Sequence, residues 1–162
     1  MNGYQLAQIN ISRFVRAKDD PANADFMAAL DAVNAQAESS PGFVWRLVGD
    51  SNNATDVEAL PGDPRLIVNM SLWQDLASLA AFAYKQPDHI AVLRRRDEWF
   101  ETLPVSVAQW WVPAGHIPTV GEGMARIANL AANGPTERAF TFRQPFAAPM
   151  AECEATRRSM SK

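Results

Sequence analysis

Leu66-Ile67-Val68-Asn69-Met70-Ser71-Leu72-Trp73, followed by Gln74-Asp75-Leu76, is the stretch that decides the architecture of this chain. Eight residues dominated by Leu, Ile, Val and Trp read as a strand, and Asp75 supplies the side-chain acceptor that opens a helix. The inward face of that helix is Leu76, Leu79, Ala80 and Ala83, flanked by Phe82. Gln86-Pro87-Asp88 interrupts it, and Asp88 is expected to cap a further helix from His89 to about Thr102 carrying Leu93, Trp99 and Phe100. Val107 to Val112 alternates as the next strand. This half of the chain is strand, helix, strand, with the helix broken in two.

Upstream the same order occurs. Tyr4 to Ile11 alternates as a strand, and Asp20-Pro21 places a capping side chain before a proline at the first helical position. The helix is expected to run to about Glu38, with Phe26, Leu30, Val33 and Ala37 on one side, until Ser40-Pro41-Gly42 ends it. Phe43 to Val48 is the second strand. Two such units in tandem predict an α+β fold of the ferredoxin-like βαββαβ type, an antiparallel four-stranded sheet with its helices on one face. The strand at 66–73 carries bulky apolar residues at both parities, so the second face also needs covering. A second subunit laid sheet against sheet is the simplest cover, which predicts a homodimer enclosing a cavity. Gly49 to Arg65, rich in Asn, Asp, Gly and Pro, is expected to loop over a cavity mouth.

Downstream, Trp110-Trp111-Val112-Pro113-Ala114-Gly115-His116-Ile117-Pro118-Thr119 joins a strand end, a turn, a histidine and a helix start within ten residues. Thr119-x-x-Glu122 has the form of a capping box, opening a helix to Asn133 with Met124, Ile127, Ala128 and Ala131 inward. Ala139 to Phe142 reads as a short fifth strand. One domain is expected over residues 1–149, followed by a disordered tail at 150–162.

Composition narrows the function. Of 162 residues, 48% are hydrophobic and 20% charged, the balance of a globular protein, and no apolar run is long enough to span a bilayer. A formal net charge of −3 argues against nucleic acid as a partner. The N-terminus lacks the pattern of a signal peptide, so a cytoplasmic location is expected. Arg94-Arg95-Arg96 precedes Asp97-Glu98 and reads as a solvated helix face, with Arg94 and Glu98 at ion-pair spacing, or alternatively as a phosphate site. The single cysteine, Cys153, lies in the polar C-terminal stretch and forms no internal disulfide.

Several stretches together resemble a bacterial family known as domain of unknown function 3291, a member of the dimeric α/β-barrel superfamily. They are Asn34, Ser40-Pro41-Gly42-Phe43-Val44-Trp45-Arg46, Asn69-Met70-Ser71-Leu72-Trp73, Arg96-x-x-Trp99-Phe100, Trp110-Trp111-Val112-Pro113-x-Gly115-His116-x-Pro118-Thr119 and Ala139-Phe140-Thr141-Phe142. The resemblance covers most of Tyr4 to Pro149. It implies the ferredoxin-like fold and places the chain near antibiotic-biosynthesis monooxygenases, polyketide-acting enzymes, haem-dependent enzymes and small-ligand sensors. Fold alone does not choose among these.

The candidate catalytic residues are the two histidines. His116 can act as acid or base on its turn, or tie the turn down through a carbonyl; His89, at a helix start, is either a neutral base or a surface residue. Arg46 and Asn69 are candidate substrate-binding residues, the first for an anionic group, the second, like Asn34, as an amide among apolar neighbours that otherwise needs a structural partner. Trp45, Trp73, Trp110 and Trp111 could line a flat-substrate pocket or serve as core. No metal-ligand motif, phosphate loop or serine elbow occurs. What the resemblance implies is a monooxygenase acting on a small aromatic or polycyclic substrate without a cofactor. A haem-dependent enzyme, with one histidine on the iron, and a non-catalytic or stress-associated binder of a hydrophobic ligand are the alternatives.

Overall fold

Strand β1 (Tyr4–Arg13) pairs antiparallel with β3 (Leu66–Trp73) on one side and with β4 (Val107–Pro113) on the other. A short β2 (Phe43–Arg46) extends the sheet beyond β3, with a register shift between Phe43 and Trp45, giving the order β2-β3-β1-β4. This is the ferredoxin-like arrangement. The molecule, a computed structural model, is described over residues 3–150. The tail expected at 150–162, and with it Cys153, lies outside the described residues save for Met150.

Helix α1 (Ala24–Ser39) follows a 3₁₀ turn at Pro21–Asn23, where the Asp20 carboxylate accepts from the Ala22 N–H. Asp75 caps α2 (Leu76–Lys85) by accepting from the Ser78 N–H. The helix expected from His89 to Thr102 is instead α3 (Pro87–Arg94) and the short α4 (Arg96–Trp99). Pro87 rather than His89 is its first residue, because a fixed φ and no N–H suit a first turn. Asp88 is therefore an acidic residue of that turn and not its cap. Arg95, not Arg94, takes the acid partners, bonding both Glu98 and Asp25.

Period-two alternation sorts the strands into two faces. Leu6, Gln8, Asn10 and Ser12 of β1 share a face with Ile67, Asn69, Ser71 and Trp73 of β3, and α1, α2 and α3 cover it. The opposite face holds Ala7, Ile9, Val68, Met70, Leu72, Ala108, Trp110 and Val112, all buried. Its cover differs from the expected second subunit: the chain's own helix α5 (Val120–Asn133) lies across it, with Ile127 and Leu130 in the core and Met124 packed beside them. The loop after β2 helps, since Leu47, Val57 and Ala59 join the same cluster. The expected strand at Ala139–Phe142 is present as one reciprocal pair of backbone hydrogen bonds between Phe140 and Gln109, closing the outer edge of β4.

Gly123 lets α5 come this close. A Cβ there would stand 2.7 Å from Ile9 Cδ1 and 3.2 Å from Met70 Sδ. Gly123→Leu is expected to lift the helix and cost about 1–3 kcal/mol, read as a lowered urea midpoint at unchanged m.

Candidate functional site

The proline that starts α3 leaves a gap in α2. In a continuous helix the Ala83 carbonyl would accept from the N–H four residues on, but that residue is Pro87, which has none. His89 supplies the missing donor: its Nδ1 lies 2.9 Å from the Ala83 oxygen. Since a carbonyl can only accept, Nδ1 carries the proton and Nε2 is left with its lone pair. The ring packs at 4.8 Å against Phe82. Burial pushes the His89 pKa below the ordinary imidazole value, against the opposing effect of the bond to Ala83. His89 is thus a neutral imidazole at neutral pH. Nε2 makes no hydrogen bond among the described residues.

His89 lines a partly open cavity of about 280 Å³ between the helices and the sheet. Its roof is Phe26, Leu30, Val33 and Asn34 of α1, one stripe of that helix. Val92 and Leu93 of α3 form a wall with His89, and Tyr84 and Phe142 close one end. Asn53, Ala54 and Thr55, from the long loop, form part of the rim, in the position expected for that segment. The loop is anchored there by a bond from Lys18 to the Thr55 carbonyl and by an Arg13–Asp63 ion pair of 2.7 Å.

The floor is polar, which the sheet register explains. Asn10 of β1 stands directly opposite Asn69 of β3, and Gln8 opposite both Ser71 and Gln109. Some of these groups are bonded locally: Gln109 Nε2 donates to Gln8 Oε1 at 2.9 Å, leaving Gln109 Oε1 buried without a partner among the described residues, and Trp73 donates to Ser71 Oγ at 2.9 Å. Asn10 and Asn69 are not. Neither side chain has a hydrogen-bond partner among the described residues, and Asn69 is exposed although it sits in a central strand. Two neighbouring amides in a cleft can donate to one oxygen of a ligand.

Of the residues singled out from sequence, His89 and Asn69 meet in this cavity, and Asn34 faces them from the roof. The others lie elsewhere. Arg46 is buried and fully engaged, donating to Glu38 at 2.7 Å and to the Asn52 carbonyl and side-chain oxygens at 2.8 and 3.0 Å. It ties β2 to α1 and to the loop. Trp45 packs against the α5-covered face, Trp73 stacks on Phe82, and Trp111 donates to the Phe146 carbonyl at 2.8 Å. No tryptophan is among the residues lining the cavity; Phe and Tyr rings take that place.

His116 stands apart as well. The capping box is half formed: Thr119 accepts from the Glu122 N–H at 3.1 Å, but the Glu122 side chain turns to other partners. Its carboxylate accepts from Trp110 Nε1 at 3.1 Å and lies 2.8 Å from His116 Nε2. Burial pulls the Glu122 pKa upward, yet the bonds from His116 and Trp110, with the charges of His116 and Arg126, outweigh it and hold the group below its ordinary value. This constellation sits beside α5, away from the cavity.

Sequence reading missed Gln8, Asn10 and Ser12. Their signal was present as polar residues at every second position of β1, in phase with Asn69 once the two strands are paired antiparallel. As for cofactors, Nε2 of His89 could approach an iron, but about 280 Å³ lies below the roughly 300–1,000 Å³ of drug-sized ligand sites, and a porphyrin with its propionates does not fit. Among the described residues no group of His, Cys, Asp and Glu could hold a metal ion, and no helix is long and apolar enough to cross a membrane.

Among solved structures, the chain is similar to a protein from Shewanella oneidensis at 12% identity, covering 68% of this chain and 93% of that one, with a TM-score of 0.50. A protein of unknown function from Nitrosomonas europaea matches at 13% identity over 74% of this chain and 99% of that one, TM-score 0.46. A cofactor-independent oxygenase from Streptomyces nogalater matches at 14% identity over 70% and 95%, TM-score 0.45. At such identities the likeness to the first is one of fold. No curated protein matches the sequence. The model of the family described as a domain of unknown function (DUF3291) matches residues 5–156, and the chain belongs to that family.

Proposed function

We propose that the chain is a cofactor-independent monooxygenase of small aromatic substrates, with His89 as general base. The observation that carries this reading is the meeting, in one largely apolar cavity, of a neutral imidazole with a free Nε2 and two unpartnered amides, Asn10 and Asn69. A base that is neutral at working pH can take a proton without first losing its own. The substrate is a hydroquinone- or anthrone-type ring. Nε2 removes a proton from it, and the anion that forms has its charge on oxygen, where the two amides donate. That anion is electron-rich enough to reduce dioxygen. One electron passes to oxygen, the radical pair joins as a C–O bond, the peroxide takes back the proton held on Nε2, and the hydroperoxide loses water as the hydrogen on the same carbon departs. The sum is anthrone plus O2 giving anthraquinone plus H2O, or a hydroquinone plus O2 giving its hydroxyquinone plus H2O.

The reading needs one chain only. A homodimer formed sheet to sheet would have to displace α5, whereas the cavity lies on the helical face. The test is oxygen uptake with anthrone, measured above its uncatalysed autoxidation. Uptake by the wild type, lost on His89→Ala and kept on His116→Ala, is the expected result, since His116 lies on the other side of the sheet. Ligand binding with no uptake is the behaviour of a non-catalytic binding protein and would overturn the oxygenase.

A further inference from the structure

Among the described residues, Arg96 is the one formally charged residue lining the cavity; the remaining lining is apolar or neutral, with no Asp or Glu. Its guanidinium has no hydrogen bond or ion pair among the described residues, although acids are close in sequence. Arg95 takes both Glu98 and Asp25, leaving Arg96 without them. The chain has more acidic than basic residues, 18 against 15, so an Arg left without an acid beside a cavity is not for want of carboxylates. Arg96 is exposed at the edge of this neutral cleft, and an Arg fork there can select a planar anion by giving two parallel N–H bonds to one carboxylate.

His89, Val92 and Leu93 lie on α3 and Arg96 opens α4 beyond the break at Arg95, and all four line the cavity. We propose that the natural ligand is an aromatic carboxylate, lying along α3 with its ring between Val92 and the floor amides and its carboxylate on Arg96. This rests on the reading of the cavity as the substrate site. It adds that the site discriminates between an acid and its neutral analogue.

The experiment is calorimetric titration of the full chain with 6-hydroxy-2-naphthoate and with 6-hydroxy-2-naphthamide, which differ in the charged group. The wild type is expected to bind the carboxylate about tenfold more tightly than the amide. Arg96→Gln should erase that preference and Arg96→Lys restore much of it, while the amide binds all three proteins alike and so reports intact folding. Equal binding of the two probes by the wild type, or a preference that survives in Arg96→Gln, overturns the proposal. Oxygen uptake measured beside the titrations separates the two readings. A carboxylate preference without uptake supports the anion site and overturns the oxygenase; uptake of anthrone without a preference does the reverse; no binding of either probe together with no uptake overturns both.

Discussion

His89→Ala is expected to lower kcat/KM for oxygen uptake by about 10²- to 10⁴-fold, the range for loss of a positioned general base. Alanine also removes the donor to the Ala83 carbonyl, so the variant alone would confound chemistry with folding. His89→Asn separates them. An asparagine amide places an N–H close to where Nδ1 stands, so it can still serve the carbonyl, but it carries no basic nitrogen. Both variants should lose turnover while His89→Asn keeps near-native stability; activity retained in His89→Asn would reduce the histidine to a helix connector. The pH profile gives a second readout. Because the His89 pKa lies below the ordinary 6.5, the base stays unprotonated through that value, and the rate should hold its plateau there and fall only at lower pH. Stability follows the same sign. The unfolded chain binds the proton more readily, so the fold weakens as pH drops below 6.5 and on through the lowered value, and His89→Asn removes that component.

The largest expected loss of stability comes from the other face. Trp110 is fully buried beneath α5, with its Nε1 on Glu122 and the Arg126 guanidinium 5.7 Å from its ring centre. Trp110→Ala should cost about 3–5 kcal/mol, through lost burial and an uncollapsed cavity, against a total of about 5–15 kcal/mol for a typical domain. Urea unfolding followed by far-UV dichroism measures it; a cost under about 1 kcal/mol would mean that α5 docks without this ring. Trp110→Phe keeps most of the volume and removes the donor to Glu122. The Glu122 pKa is depressed, so its contribution is present above the ordinary carboxylate value of 4.5 and is lost as pH falls through the folded value. In Trp110→Phe that loss should begin at higher pH.

The βαββαβ order was legible because strands such as 66–73 and caps such as Asp20, Asp75 and Thr119 are local signals. The cover of the second face was not. Both faces of β3 announced burial, but whether a partner or α5 supplies it depends on where the chain travels after Pro113, and no period records that. His89 and Asn69 were found as residues without being found as neighbours. What joins them is the β1–β3 register and the absent N–H of Pro87, and the latter could have been read by counting four residues back to Ala83. The tryptophans misled for the opposite reason. Large rings near polar groups suggest a pocket, yet Trp73 and Trp111 satisfy their N–H groups on Ser71 and on the Phe146 carbonyl and fill the core. Arg46 was similar, a guanidinium already spent on Glu38 and Asn52.

Helix α5 has a consequence for how the site responds to dilution. A cleft whose supporting sheet is completed by a second molecule exists only as far as association allows, and its occupancy falls with the protein itself. Here the backing of the sheet arrives on the same chain, so the cleft forms in a unimolecular step. Its ligand affinity should be the same at nanomolar as at micromolar protein.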